Sequence, residues 1–208
     1  ISWTIQEAIA CSALDSVCVS TDDKEIADVS SGYGAHVPFL RPADLATDMS
    51  DTVYAALHAL DWFRENEQKT FSHLCLLQPT SPFRVVDDIH ETIRLALRTG
   101  AEVAISVTES HHHPALMRKR DNEGRLQPFM KNTVRQPRRQ DLPPAYFING
   151  AVYVAKNDFI RHNETFYPEC PYGYVMPEER SMQIDTPWDL KLAGAVARLR
   201  LNAAPCAR

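Results

Sequence analysis

The segment HLCLLQPTSPFRVVDDIHETIRLALRTGAEVAISV, from His73 to Val107, decides the fold. Its ends, His73–Leu77 and Glu102–Val107, are short apolar runs of the kind that form buried strands. Between them, Val86–Arg98 has the apolar spacing of a helix. Apolar strands that alternate with helices are typical of a mostly parallel sheet covered on both faces. The segment therefore predicts an α/β protein.

The same alternation extends towards both ends of the chain. The pattern predicts further helices at Ser2–Ser12, Lys24–Ser31, Asp51–Glu67 and Thr186–Arg200, and further strands at Ser16–Ser20, His36–Leu40 and Ala151–Ala155. Asp51 or Ser50 is expected to cap the helix that starts near residue 51, because both side chains accept hydrogen bonds from unpaired helix N–H groups.

Residues 111–146 break this alternation. They are charged, contain prolines and include a basic run, Arg135–Arg139. A stretch of this length without periodicity is unusual in a compact domain unless it is functional or packs elsewhere. We therefore predict a core formed by residues 1–110 and 147–208, with residues 111–146 as an insertion.

The composition narrows the class of protein. Of 208 residues, 44% are hydrophobic and 24% are charged, which is enough for one sizeable core, and the net charge of −5 argues against nonspecific nucleic-acid binding. No apolar run approaches the roughly 20 residues of a membrane span. The five cysteines are odd in number and lack CxxC spacing, which indicates reduced thiols and a cytoplasmic location. None of the seven glycines forms a GxGxxG or GxxxxGK[ST] phosphate motif.

Polar residues follow the predicted strands, at the sheet edge where open α/β sheets bind ligands. The most unusual segment is QPTSPFR, from Gln78 to Arg84, in which two prolines fix the backbone. The amide of Gln78 can both donate and accept, which suits reading of a nucleobase or sugar edge. A rigid turn in which Gln78 only caps the strand explains the pattern equally well.

Six blocks, in this order along the chain, resemble those of the acylneuraminate cytidylyltransferases, also called CMP-sialic acid synthetases. The blocks are VSTDDKEIA (Val19–Ala27), RPADLATD (Arg41–Asp48), LLQPTSPFR (Leu76–Arg84), RRQDLPPAY (Arg138–Tyr146), NGAVYV (Asn149–Val154) and IDTPWDL (Ile184–Leu190). They span nearly the whole chain. The resemblance implies a three-layer α/β nucleotidyltransferase-like fold and a homodimer formed through the 111–146 insertion.

The resemblance also implies a Mg²⁺-dependent reaction in which CTP and a nonulosonic (sialic-type) acid give the CMP-sugar and pyrophosphate. Arg41, Ser50 and Thr52 match positions that hold the nucleotide. Arg139 matches an arginine implicated in catalysis, where a guanidinium offsets phosphate charge. Without the resemblance, Arg41 is better explained as a surface arginine and Thr52 as a residue at a helix start.

Three further positions match the sugar side of the family's site, and one matches its metal. Gln78, Gln140 and Asn149 correspond to sugar-binding positions, although Asn149 with Gly150 is also an ordinary turn sequence. Asp185 corresponds to a catalytic aspartate that binds Mg²⁺. Asp189 is better explained as a charge at the start of the last helix.

Several positions depart from the family. Gln183 stands where many members have a second aspartate, and Leu116 and Phe147 stand where some have basic residues. Legionaminic- or pseudaminic-type acids are therefore as plausible as N-acetylneuraminate, and a related enzyme for 3-deoxy-manno-octulosonate is a third possibility. The run His111–His113 is better explained as a loop or sugar-site feature than as a zinc site, because consecutive side chains point in opposite directions.

The largest departure concerns the family's first strand and CTP-phosphate loop, which resemble IPARGGSKG. The sequence starts at the helix that follows this loop, so both are expected to be missing from it. This departure and Gln183 motivate an alternative, a non-catalytic paralogue that binds nucleotide sugars or serves as an oligomer partner.

Overall fold

A computed structural model describes residues 1–130 and 138–203, and for residues 139 and 201–203 it describes the backbone only. Cys206 and residues 135–137 of the predicted basic run lie outside the described residues. Six α-helices and six strands are present in the described part of the chain. The helices are α1 (Ser2–Ala10), α2 (Lys24–Gly32), α3 (Thr52–Asn66), α4 (Val86–Thr99), α5 (Asn157–Asn163) and α6 (Pro187–Ala203). The strands are β1 (His73–Leu76), β2 (Val103–Glu109), β3 (Arg118–Arg120), β4 (Leu126–Pro128), β5 (Tyr146–Lys156) and β6 (Tyr172–Val175).

Five of the helices and three of the strands agree with the sequence patterns, and the predicted start of α3 is confirmed in detail. The side chain of Asp51 accepts a hydrogen bond from Val53 N at 3.2 Å. Ser50 does not cap this helix, because its hydroxyl donates to the carbonyl of Asp44 at 2.8 Å. Two consecutive residues with capping side chains therefore have different roles.

The predicted strands Ser16–Ser20 and His36–Leu40 are wrong as extended strands. They are reduced to a single parallel bridge between Cys18 and His36. Two hydrogen bonds form it, from Val19 N to His36 O and from His36 N to Val17 O, both at 2.9 Å. A strand needs continued pairing along its length. Among the described residues, residues 16–20 pair on one side only and at a single position, Cys18.

The main sheet is mixed and has the strand order β1-β5-β2-β6. Strands β1, β2 and β6 run in the same direction, whereas β5 lies antiparallel between β1 and β2. The two strands of the opening segment therefore share a direction, as predicted, but are not neighbours. The α/β class is confirmed.

The side chains of β5 alternate between two cores, one on each face of the sheet. Val152 and Val154 pack in a cluster with Ile89 and Ile93 of α4 and with Cys11, which directly follows α1. Tyr153 and Ala155 point the other way and pack in the cluster formed with α3 and α5. The apolar run of β5 thus reflects burial on both faces, and helices cover the sheet from both sides.

The segment that interrupts the alternation contains its own two-stranded sheet. Strands β3 and β4 pair antiparallel and are exposed along their whole length. They lie between β2 and β5 in the sequence, which are neighbours in the main sheet. Within the described part of the chain, no helix is long and apolar enough to cross a membrane.

Candidate functional site

A cleft of about 1140 Å³ lies between β1 and residues 16–20. Its interior is apolar and is lined by residues of α1, α3 and β1, among them Ile5, Leu60, Leu74 and Leu76. Its polar lining includes Ser20, Arg41, Thr52, Gln78 and Thr80. Three residues that the sequence assigns to substrate, namely Arg41, Thr52 and Gln78, thus line one cleft although they are far apart in the chain.

Arg41 is fixed at the polar end of this cleft by its backbone. Its N–H donates to the carbonyl of Thr21 at 2.8 Å, and its guanidinium lies 3.6 Å from a carboxylate oxygen of Asp22. Its Nε and the hydroxyl of Ser20 are buried and make no hydrogen bond to the described residues. Two unused polar groups therefore accompany the predicted nucleotide-binding arginine.

Gln78 follows β1, and a buried arginine holds the loop that it begins. Arg84 is only 2% exposed. Its Nη2 donates to the carbonyl of Gln78, its Nε to the carbonyl of Ala151 at 2.9 Å, and its Nη1 to the hydroxyl of Thr4 at 2.8 Å. Burial lowers the pKa of the Arg84 guanidinium to about 10, so it stays charged at neutral pH. Three oxygen acceptors compensate the loss of its hydration.

Sequence reasoning gave no role to Arg84. A charged residue after Pro-Phe usually predicts a surface position, because arginine is almost never fully buried unless paired. Two of its three partners, the carbonyl of Ala151 and the hydroxyl of Thr4, come from distant parts of the chain, and no local pattern indicates them.

Asn149 lies in an irregular part of β5, where five residue steps of β5 lie opposite two steps of β2. Its side chain is completely buried. Its Nδ2 donates to Ser181 Oγ at 2.9 Å and to Met176 Sδ at 3.3 Å. Its Oδ1 accepts from Ser106 Oγ at 2.6 Å and from Ala151 N at 3.3 Å. The contact with the sugar stays a prediction, since these partners are all protein groups.

The next residue, Gly150, has a φ of +68°, a conformation that favours glycine. A Cβ at this position would collide with the amide nitrogen of Gln183 and lie 2.6 Å from Gln78 Oε1. The two glutamine side chains therefore converge over the α-carbon of Gly150. The sequence predicts this glycine only as part of a turn, whereas in the structure the side-chain amides of Gln78 and Gln183 occupy the space that a Cβ would fill.

Asp185 and Asp189 differ in surroundings. The carboxylate of Asp189 accepts hydrogen bonds from Thr186 N at 2.8 Å and Thr186 Oγ1 at 2.7 Å, which hold the pKa of Asp189 below its usual value. This confirms its expected place at the start of α6. Asp185 is exposed, and its backbone N–H donates to Asp189 Oδ2 at 3.2 Å.

The RRQD block forms a short turn whose described side chains do not line the cleft. Arg139–Asp141 form a short 3-10 turn, and the side chain of Arg139 lies outside the described residues. Gln140 is exposed and does not belong to the cleft lining that the described residues form. Ser50 is likewise absent from that lining. The roles of these three residues stay predictions.

Two of the three consecutive histidines contact identified partners through their side chains. His113 Nδ1 accepts from Ala115 N at 3.1 Å and so caps the short turn Pro114–Leu116. His111 Nε2 lies 2.6 Å from a carboxylate oxygen of Glu178. Among the described residues, no cluster of three His, Cys, Asp or Glu side chains is arranged to hold a metal.

Comparison with known proteins gives a consistent family. A sequence model of the family described as Cytidylyltransferase matches residues 1–182. The chain is 36% identical over 210 residues to a CMP-N,N'-diacetyllegionaminic acid synthase of Legionella pneumophila, a match that covers 98% of this chain and 87% of the relative. It is 30% identical to an N-acylneuraminate cytidylyltransferase of Escherichia coli, over 93% of this chain and 44% of that protein.

A solved structure is similar in fold. It is that of a CMP:2-keto-3-deoxy-manno-octonic acid synthetase complexed with CTP, with a TM-score of 0.66 and 14% identity over 96% of this chain and 88% of the other. At this identity the likeness concerns the fold alone.

Proposed function

The chain belongs to the cytidylyltransferase family, and we propose that it transfers CMP from CTP to a nonulosonic acid, with release of pyrophosphate. The observation that carries the proposal is the convergence of Arg41, Thr52 and Gln78 on one cleft, where the polar segment after β1 begins. A nucleotide held by Arg41 and Thr52 would place its phosphates near the guanidinium, and an acceptor beside Gln78 would find an amide that both donates and accepts.

The reaction joins the anomeric oxygen of the acid to the α-phosphorus of CTP. The bond from that phosphorus to the oxygen bridging to the β-phosphate breaks, and the hydroxyl proton leaves the acceptor. Negative charge is concentrated on phosphate oxygens throughout, so the protein contributes mainly by holding the two substrates in line and neutralising charge. We assign the second task to Arg41 and Arg139.

Mg²⁺ is proposed as the cofactor, with Asp185 as its protein ligand and Gln183 beside it. Mg²⁺ sites commonly use one or two carboxylates together with substrate phosphates and water, and do not require a cage of protein ligands. The single exposed carboxylate of Asp185 therefore suits this ion. When bound, Mg²⁺ would neutralise phosphate charge. The amide of Gln183 carries no charge, so Asp185 supplies the carboxylate in this pair.

We infer that in the active enzyme the cleft also receives one further extended segment, which carries the expected phosphate-binding loop. The outer edge of β1 is unpaired among the described residues, and residues 16–20 are paired on one side only. An unpaired edge of β1 that faces an extended segment across an apolar cleft is suited to the addition of a strand. A loop at its end would lie beside Arg41 and Gln78.

The acceptor is proposed to be a legionaminic-, pseudaminic- or neuraminic-type acid. The relative of 36% identity is a synthase for the diacetyllegionaminic compound, and relatives of 24% identity are pseudaminic acid cytidylyltransferases of Campylobacter jejuni. Among these acids, the legionaminic type has the support of the higher identity.

A homodimer is proposed on the basis of the exposed apolar side chains of residues 111–148. Among the described residues of this range, those that are at least 39% exposed are Leu116, Met117, Leu126, Phe129, Met130, Tyr146, Phe147 and Ile148. Such a concentration of apolar surface is characteristic of protein contacts. Sedimentation at micromolar concentration is expected to show a dimer, and a monomer alone would contradict this part of the proposal. A cytoplasmic location is also proposed, supported by the free thiols of Cys11, Cys18, Cys75 and Cys170.

The function is tested with the protein expressed from its full reading frame. Pyrophosphate release is measured with CTP, Mg²⁺ and separately with legionaminic, pseudaminic, N-acetylneuraminic and 3-deoxy-manno-octulosonic acids, and the CMP-sugar is identified by mass spectrometry. We expect turnover with one of the first three and none with UTP. A folded protein that binds CTP but turns over no acid would favour the non-catalytic alternative, and turnover of the fourth acid alone would reassign the acceptor class.

A further inference from the structure

The loop between β6 and α6 carries Gln183 and Asp185, and its middle is attached to the centre of the sheet. Ser181 is 5% exposed, and its hydroxyl accepts from Asn149 Nδ2 at 2.9 Å and donates to the carbonyl of Pro177 at 2.8 Å. Asn149 is held in turn by Ser106, whose hydroxyl also accepts from Val152 N at 2.8 Å. A continuous buried chain of hydrogen bonds therefore runs from β2 through β5 to this loop.

An ion pair between a buried carboxylate and a partly exposed arginine attaches the same loop at a second point. Asp88 in the first turn of α4 is completely buried. Its carboxylate accepts from Arg180 Nη2 at 2.9 Å and Arg180 Nε at 3.0 Å, and from Val85 N at 3.0 Å. A bidentate arginine–carboxylate pair fixes orientation as well as distance. Arg180 directly precedes Ser181, so the two attachments act on adjacent residues.

The third attachment lies next to the predicted metal and sugar residues. Ile184 N donates to the carbonyl of Thr80 at 2.8 Å, which joins the loop to the segment that begins with Gln78. Between this bond and the attachment at Ser181 lies Gln183, whose amide reaches the space above Gly150. The loop is thus tied on both sides of the residue that faces Gln78.

We propose that Asn149 is a positioning residue, which acts through Ser181 to hold Gln183 and Asp185 in place and does not itself contact the acceptor. An asparagine amide has two N–H groups and one carbonyl oxygen. Both N–H groups and the oxygen of Asn149 are already used by Ser181, Met176, Ser106 and Ala151. A bound sugar would have to displace these partners from a site with no exposed surface.

The proposal rests on the proposed function for the roles of Gln183 and Asp185 at the metal and the sugar. Whether the loop is ordered can nevertheless be measured without substrate. The variants are Asn149→Ala and Ser181→Ala, with Ser30→Ala as a matched control. Ser30 is also completely buried, and its hydroxyl donates to a main-chain carbonyl, that of Ile26, at 2.6 Å in α2. The first measurement is backbone amide hydrogen exchange of the peptide that covers residues 178–186.

We expect exchange in this peptide to be at least about tenfold faster in Asn149→Ala and Ser181→Ala than in the parent, since the loss of a buried hydrogen bond shifts a local equilibrium by roughly that factor. Ser30→Ala should leave this peptide unchanged. Parent-like exchange in both site variants would overturn the proposal, whether or not the protein turns over CTP. If Asn149→Ala does not fold, Ser181→Ala decides by the same measurement.

The second measurement separates positioning from direct contact. If Asn149 acts through Ser181, both single variants should show the same changes in kcat and in the KM for the acceptor, and the double variant should be no worse than Asn149→Ala alone. If Asn149 binds the sugar directly, Asn149→Ala should raise the KM for the acceptor while Ser181→Ala leaves it unchanged. That second pattern would refute the proposal even if the proposed function is correct.

Discussion

The segment after β1 lies between the loop before α6 and the cleft beside β1, and these two regions differ in how many of their polar groups have partners. On one side, Asn149, Ser181 and the Asp88–Arg180 pair hold the loop before α6 through buried polar contacts. On the other side, the cleft is lined by apolar side chains and lies between the edge of β1, which is unpaired among the described residues, and residues 16–20, which are paired on one side only. Gln78 lies where the two sides meet.

The difference shows which part of the site requires additional groups. The proposed acceptor side is preorganised, because each polar side chain in its buried network has a partner. The proposed nucleotide side has buried polar groups without a hydrogen-bond partner among the described residues, namely Arg41 Nε and Ser20 Oγ. This difference supports the proposal that the loop before α6 binds the acceptor without additional protein groups. It also supports the proposal that a further segment completes the nucleotide pocket in the cleft.

The largest effect is expected at Arg84, which connects the two sides. Replacement by methionine in Arg84→Met keeps much of the side-chain volume but leaves the carbonyls of Gln78 and Ala151 without their buried donor. We expect the free energy of unfolding, measured by urea denaturation, to fall by about 3 kcal/mol or more, since several buried polar groups lose partners at once.

Arg94→Met is the matched control, because Arg94 is an exposed arginine on α4 that pairs with Glu91 at 3.1 Å. A surface pair of this kind contributes roughly 0.5 kcal/mol or less. If the two variants lose similar stability, Arg84 does not connect the two sides in the way that its contacts indicate.

The second effect is expected at Gly150, where the two glutamines converge. Gly150→Ala places a side chain at positive φ and against both amides, so we expect a loss of about 1–3 kcal/mol in unfolding free energy. Because Gln78 and Gln183 must move apart, turnover should fall by more than the loss of folded protein explains. Circular dichroism melting together with initial rates at saturating substrate measures both effects.

Gly32→Ala is the control for this variant. Gly32 ends α2, and an added Cβ there meets no atom within 4 Å. At such a position alanine is expected to be neutral or slightly stabilising, by up to about 1 kcal/mol. Equal losses in the two variants would indicate a general cost of removing glycine and would argue against crowding by the two amides.

The elements that the sequence predicts well are those whose burial is periodic. The apolar run at β5 predicts burial on both faces, because alternate residues of β5 pack in opposite cores. The helical spacing of α4 predicts its buried face, which packs Ile89 and Ile93 into one of these cores. The starts of α3 and α6 are likewise readable, because Asp51 and Asp189 act on residues within a few positions. Local physics suffices in these cases.

Non-local relations are where the sequence falls short. Residues 16–20 have the composition of a strand, but whether a strand forms depends on partners that the pattern does not contain. The exposed strand β6 and the short helix α5 have too few residues for a clear period and were not predicted. At the site, Arg41, Thr52 and Gln78 were predicted as separate positions. The network around Asn149 depends on Ser106 and Ser181, which are 43 and 32 residues away.

The smallest effect is expected for thiol chemistry in the cleft, which changes a labelling rate and leaves stability unaffected. Cys18 and Cys75 line the cleft, whereas Cys170 is exposed. Burial raises the pKa of the Cys18 thiol to about 12, with a further contribution from the nearby Glu67 carboxylate, and burial raises the pKa of Cys75 to about 12. The reactive form is the thiolate, so at pH 8 the cleft thiols should react with Ellman's reagent far more slowly than Cys170.

The low reactivity of the cleft thiols should persist at mildly alkaline pH. Thiols with a pKa of about 12 remain only about 0.1% ionised at pH 9, so the cleft thiols should stay slow to label when the pH is raised from 7 to 9. The comparison is made in a Cys206→Ser background, with Cys170→Ser as the control that removes the fast phase. Fast labelling of Cys18 in that control would mean that water enters the cleft freely. The contrast between a fixed acceptor side and an apolar cleft suited to one more strand would then fail on the nucleotide side.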